Sequence, residues 1–229
     1  MNFKSSIAAP LLLALLFTAA ARPVRAEGEL MVIPASTRVF SAHDQTVTAR
    51  NMGDAPLYLS VSLQKVTNPG MVPETKVALG DLDNPGLIAS PDKLTLGPGQ
   101  SRQIVLKSLI EPTQEALYRL YIVPVRSLKV EDAPQNKITA PMSVSIGYGV
   151  LVRHMPPPGK QRTGWTHRCE NGGITVESTG NVRTLLSDVA YDSAKQPRNL
   201  AVYPGTSQHF ATTRMTLRVD DAQKTLACP

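Results

Sequence analysis

Between Leu57 and Gln64 the side chains alternate without a break: Leu57, Leu59, Val61 and Leu63 share one parity, Tyr58, Ser60, Ser62 and Gln64 the other. A period of two sets the parities on opposite faces of a pleated strand, so this segment can bury one face and wet the other. The pattern recurs. Ile104, Leu106 and Ser108 alternate with Val105, Lys107 and Leu109, and Leu120, Ile122 and Pro124 alternate with Tyr121, Val123 and Val125. Turn signals separate the runs at Asn51-Met52-Gly53-Asp54, Asn68-Pro69-Gly70, Asn84-Pro85-Gly86 and Gly97-Pro98-Gly99. After the first residues there is no long stretch of 3.6-residue periodicity, and 19 prolines oppose helix bundles. These constraints dictate an all-β chain built as a sandwich of short strands.

At 229 residues the chain is long enough for two small domains. Met155-Pro156-Pro157-Pro158-Gly159 marks the boundary, because consecutive prolines hold an extended, semi-rigid connection. The expected units are residues 27–155 and 156–229. The second again reads as strands, at Ile174-Thr175-Val176, Thr184 to Val189 and Met215 to Val219. With only about 70 residues its core is marginal, which gives a covalent staple a purpose. Cys169 and Cys228, the only two cysteines, both fall in it, and without a CxxC spacing they read as a disulfide rather than a metal or redox pair. Closing the loop of 59 residues stabilises by about 4 kcal/mol in the chain-entropy model.

The first 26 residues have the form of a secretory signal: Lys4, then an apolar run from Ile7 to Ala21, then small residues at Val24 and Ala26 before a cut at Glu27. Cleavage after Ala21 is an alternative. The run is shorter than the ~20 apolar residues of a membrane-spanning helix, and no later segment could span, so a soluble exported protein is expected. Losing Lys4, Arg22 and Arg25 lowers the net charge from +6 to +3. With no dense basic patch interleaved with aromatics, the mature chain is not expected to bind nucleic acid.

Enzymatic readings find little support. The four histidines, His43, His154, His167 and His209, are scattered without metal-ligand spacing and read as surface or turn residues. There is no G-x-S-x-G elbow and no phosphate-cradling loop. No cofactor and no metal are expected.

The most informative segment is Ile138 to Val152. Met142, Val144, Ile146, Tyr148, Val150 and Val152 share one parity, and Ser143, Ser145, Gly147 and Gly149 share the other. An ordinary sandwich strand facing its own core has this pattern. So does an edge strand whose apolar row is offered to another chain, which is an aggregation hazard unless a partner regularly occupies it.

Several pieces, in order, resemble the periplasmic fimbrial chaperones of the chaperone–usher pathway. Thr37-Arg38-Val39-Phe40 resembles that family's first strand and Val47 to Asn51 its second. Ser90-Pro91 and the Leu96-Gly97-Pro98-Gly99-Gln100 turn follow, then Glu115-Ala116-Leu117-Tyr118-Arg119-Leu120 running into Val123-Pro124-Val125. The alternating strand at 142–152 leads into the junction prolines. The short segment Ser127 to Ala140 and the small second domain are similar to the alternate clade of these chaperones, which serves thin colonisation-factor and cable-like fimbriae.

The resemblance implies two immunoglobulin-like β-sandwich domains at an angle, a PapD-like boomerang with a cleft between them. It further implies a periplasmic protein that is not an enzyme. Its partners would be fimbrial subunits, both pilins and adhesin, and an outer-membrane usher. Arg38 matches the arginine that binds the C-terminal carboxylate of the subunit, a group that a guanidinium grips through two parallel charge-assisted hydrogen bonds. The family places a lysine near the end of the seventh strand as second anchor, yet no lysine lies between Lys137 and Lys160. Arg153 is the basic residue at that strand's end, besides His154. It reads either as the second anchor or as the partner of an acid that sets the interdomain angle, with Glu115 as candidate. The donor strand would draw on Met142, Val144, Ile146 and Tyr148, lent to a subunit that lacks its last strand. Whether the free protein caps that row by self-association is left open. The rival reading is a fimbrial structural subunit or adhesin, although a subunit's donor segment is N-terminal and here the row is internal.

Overall fold

The structure is a computed structural model that describes residues 29–125, 146–191 and 198–229. The expected signal, the segment 127–140, and the donor-row residues Met142 and Val144 lie outside the described residues.

In chain order the first unit contains β1 (Leu30–Ile33), β2 (Ser36–Val39), β3 (Gln45–Asn51), β4 (Leu57–Val66) and β5 (Lys76–Ala78). It continues with β6 (Leu87–Ser90), β7 (Lys93–Leu96), β8 (Ser101–Ser108), β9 (Ala116–Pro124) and β10 (Tyr148–His154). One sheet has the order β1-β3-β8-β6. The facing sheet runs β2-β10-β9-β4-β5, with β7 also paired to β4. The alternation read in the sequence sets what lies between them: Leu57, Leu59, Val61 and Leu63 of β4, Ile104 and Leu106 of β8, and Leu120 and Ile122 of β9 are all buried. Each such side chain contributes about 1.5–3 kcal/mol by leaving water. The Asn51 turn has its own lock. Asn51 Nδ2 donates to the carbonyls of Ala55 at 2.7 Å and Leu96 at 3.2 Å, and Oδ1 accepts the Gly53 N–H at 3.0 Å.

The apolar row of 142–152 divides along its length. Val150 and Val152 point into the core of their own sandwich, and Tyr148 packs against it, as an ordinary strand would. Ile146, just ahead of β10, is 74% exposed.

The second unit holds β11 (Trp165–Glu170), β12 (Gly173–Ser178), β13 (Thr184–Ala190) and β14 (Arg198–Val202), then β15 (Gln208–Phe210), β16 (Arg214–Val219) and β17 (Ala222–Ala227). A sheet β11-β12-β15 faces a sheet β14-β13-β16-β17 over a core that includes Ile174, Val176, Leu186, Met215 and Leu217. Cys169 and Cys228 are joined by a disulfide, with Cα atoms 5.7 Å apart. The bond ties β11 of one sheet to the residue following β17 of the other, so it staples the sandwich across its layers.

The two sandwiches meet in a small apolar cluster of Val66, Leu117 and Tyr203, with Leu151 and Ala201 against it. The turn after β4 presses on the same region. Gly70 has φ +87°, and a Cβ there would lie 2.7 Å from the Ala201 carbonyl oxygen, so both the backbone conformation and the close approach exclude a larger residue.

Candidate functional site

β10 is the hub of the site. It pairs antiparallel with β9 over its whole length, but parallel β2 accompanies only Leu151 to His154, in the register Leu151 with Ser36 and Arg153 with Arg38. Among the described residues, the N-terminal half of β10 therefore has an open edge. The Leu151 N–H donates to the Ala35 carbonyl on the β2 side at 3.0 Å. Strand alternation then turns the N–H and C=O of Gly149 toward the same side, where none of the described strands follows. Gly149 carries no side chain to obstruct an incoming backbone, and a Cβ there would crowd the Tyr121 ring at 3.3 Å. Exposed Ile146 stands at the start of this edge. Tyr58 of β4, Val123 of β9 and Val125 just beyond β9 are exposed as well.

At the other end of the same edge, β2 and β10 form one wall of an open cleft of about 500 Å³. Thr37, Arg38, Phe40 and Gln45 line it from the first unit, Arg153 from β10, and Arg183 from the second unit. Arg38 is exposed. Arg153 is 8% exposed, and its Nε donates to Glu115 Oε1 at 2.6 Å. The Glu115 side chain is fully buried, and its other oxygen accepts the backbone N–H of Arg183 at 2.8 Å. One carboxylate thus joins β10 to the segment entering β13.

Asn181 completes this joint. Its Nδ2 donates to the carbonyls of Thr113 at 3.1 Å and Lys160 at 2.9 Å. Its Oδ1 accepts the Arg162 N–H at 2.7 Å, and its own carbonyl accepts the Glu115 N–H at 2.8 Å. A buried amide with every partner present specifies geometry more than it adds free energy. Asn181 holds the first unit, the connection and the second unit in one register.

Of the sequence-derived residues, the structure gathers Arg38 and Arg153 on one cleft wall and sets Tyr148 at the start of the open strand, beside Ile146. The acid expected as an alternative mate of Arg153 is its mate. Two residues at the cleft and joint, Asn181 and Arg183, were not anticipated. They sit in a run, Thr179-Gly180-Asn181-Val182-Arg183, that looks like an ordinary turn into a strand, and no pattern along the chain signals that it faces residues 113–115.

His154 corrects its reading as a surface or turn residue. It is 1% exposed, its Nε2 lies 2.7 Å from Ser108 Oγ, and the Tyr118 ring meets it edge-on. Ser108 Oγ donates to the Ile110 carbonyl at 2.6 Å, which leaves it to accept from the imidazole. Burial pushes the His154 pKa down from 6.5 to about 4, so the ring is neutral at physiological pH and is no anion anchor. His43, His167 and His209 are exposed. Among the described residues no three His, Cys, Asp or Glu side chains converge as a metal site, and no helix is long and apolar enough to cross a membrane.

No protein-family model matches the chain. It is 27% identical over 195 residues to a CS1 fimbrial subunit of Escherichia coli, covering 81% of each chain. It is also 27% identical over 194 residues to a CFA/I fimbrial subunit of Escherichia coli, again with 81% of each covered. Among solved structures, a chain of the chaperone–tip adhesin complex of CFA/I fimbriae biogenesis superposes with a TM-score of 0.69 at 22% identity, over 86% of this chain and 98% of that one. The class 5 fimbriae chaperone CfaA gives 0.66 at 21% identity, over 88% and 100%. The periplasmic chaperone SfaE gives 0.54 at 10% identity, over 87% and 100%. The chain has the two-domain, all-β fold of the periplasmic chaperones of fimbrial assembly.

Proposed function

We propose that this chain is a periplasmic chaperone that holds fimbrial subunits by lending them the edge of β10 and gripping their C-terminal carboxylate in the arginine cleft. The observation that carries the reading is the meeting of two features on one strand. The open edge with exposed Ile146 at its start runs directly into the cleft that holds Arg38. A strand whose last residue is held at Arg38 is thereby laid along the open edge in a fixed register. Ile146, with Met142 and Val144, would complete the subunit's core, each fully buried side chain adding about 1.5–3 kcal/mol, whereas Tyr148 packs against the chain's own core. Release by exchange at an outer-membrane usher needs no nucleotide and no enzymatic step.

Arg38 is the gripping group in this account. Arg153 is committed through Nε to Glu115, whose other oxygen holds the Arg183 N–H across the cleft. The export signal at residues 1–26 fits the same compartment. The higher TM-scores with the chain of the CFA/I chaperone–tip adhesin complex and with the class 5 chaperone CfaA than with SfaE favour the alternate clade.

The names of the two Escherichia coli relatives favour a second reading, that of a structural component of the fimbria itself. Against it stand the second sandwich and the internal position of the apolar row. Self-polymerisation of the purified chain would support that second reading. Co-expression with a fimbrial subunit tests the first: Arg38→Ala and Ile146→Asp should each lower recovery of the complex at least tenfold. Unchanged recovery with both would overturn it.

A further inference from the structure

The cleft has more positive charge than its internal partners neutralise. Arg38, Arg153 and Arg183 all line it. Arg153 is matched by Glu115, whereas among the described residues neither Arg38 nor Arg183 has a carboxylate within 4.0 Å. Arg183 is nevertheless well placed. Its backbone N–H is fixed on Glu115 Oε2, its Nη1 donates to the Tyr203 hydroxyl at 3.2 Å, and its guanidinium lies 5.9 Å from the centre of that ring. Tyr203 is itself buried. The guanidinium is thus positioned at modest entropic cost while most of its five N–H groups remain unassigned.

A carboxylate has two oxygens and about four acceptor sites, enough for two guanidinium groups approaching from opposite sides. Arg153 has given Nε, one side of its donor fork, to Glu115. We infer that Arg183 is the second anchor: the subunit's terminal carboxylate is clasped between Arg38 of the first sandwich and Arg183 of the second. The inference rests on the proposed reading that a subunit's C terminus occupies this cleft. It also gives the joint a role in binding. Glu115 and Asn181 hold the segment 181–183 against the first unit, so the spacing between the two arginines depends on them. A lysine on β10 is then unnecessary, because the missing cation comes from the other domain.

The test measures the affinity of the full chain for a fimbrial subunit in two forms, one with its native C terminus and one extended by two residues so that the carboxylate is displaced. The variants are Arg38→Ala, Arg183→Gln and Arg183→Lys, with Trp165 fluorescence reporting folding of the second unit. Arg183→Gln should weaken binding of the native form at least tenfold and of the extended form less than twofold, and Arg183→Lys should recover part of the loss. If Arg38→Ala weakens binding and Arg183→Gln does not, the second anchor is refuted and the chaperone reading stands. If Arg183→Gln weakens both forms equally, Arg183 acts only on structure and the inference fails. If Arg38→Ala has no effect either, the cleft does not hold the terminus and both readings fall together.

Discussion

The two sandwiches reach stability by different routes. Among the described residues, the first buries a cluster of 18 hydrophobic residues with no covalent help, the second a cluster of 10 with a disulfide across its layers. A small unit buries a smaller fraction of its surface, so the staple stands in for the missing core. Among the described residues, the larger core lets the first unit leave one edge of β10 open along its N-terminal half, a liability for a marginal domain. The second unit supplies little strand edge to the site. It contributes position, through Asn181 and Arg183, and it does so at a joint whose central ion pair is buried.

That division can be broken at the joint first. Glu115→Ala leaves Arg153 buried without its partner and the Arg183 N–H without its acceptor. A loss of about 3–5 kcal/mol is expected, with the two units then unfolding separately. Denaturant titrations read by Trp165, which lies in β11 and is the only tryptophan, and by circular dichroism would show it; a single unshifted transition would refute the joint's role.

Removing the staple comes next. Replacing both Cys169 and Cys228 by alanine should cost the second unit about 4 kcal/mol, read by Trp165 in the Glu115→Ala background where the units unfold separately. An equal loss in the first unit would mean that the cores are not independent.

The smallest effect belongs to the first unit alone. Burial holds the folded-state pKa of His154 at about 4, below its ordinary 6.5, so between these values the unfolded chain binds more protons. Stability contributed above pH 6.5 is lost as pH falls toward 4, by roughly 2–3 kcal/mol. His154→Gln should flatten the decline, and an unchanged profile would assign it to other groups.

Strand periodicity was legible because it is local: Leu57 to Leu63 declares its buried face within seven residues. The disulfide was legible from cysteine number and compartment. His154 was misread because its burial depends on Ser108 and Tyr118, far from it along the chain. Arg183 and Asn181 escaped notice for the same reason, since their partners lie 68 residues away at Glu115 and Thr113. The pattern at 142–152 allows a core-facing and a partner-facing reading, and periodicity alone does not separate them. The structure assigns Val150 and Val152 to the core and leaves Ile146 exposed.

The most direct test of strand lending is amide hydrogen exchange at Gly149, whose N–H faces the open edge. In the free chain it should exchange rapidly, while Val150, paired with Leu120 on β9, should be protected. When a fimbrial subunit binds, exchange at Gly149 should slow at least tenfold with little change at Val150. A bound subunit that leaves Gly149 exchanging as fast as in the free chain would contradict the account.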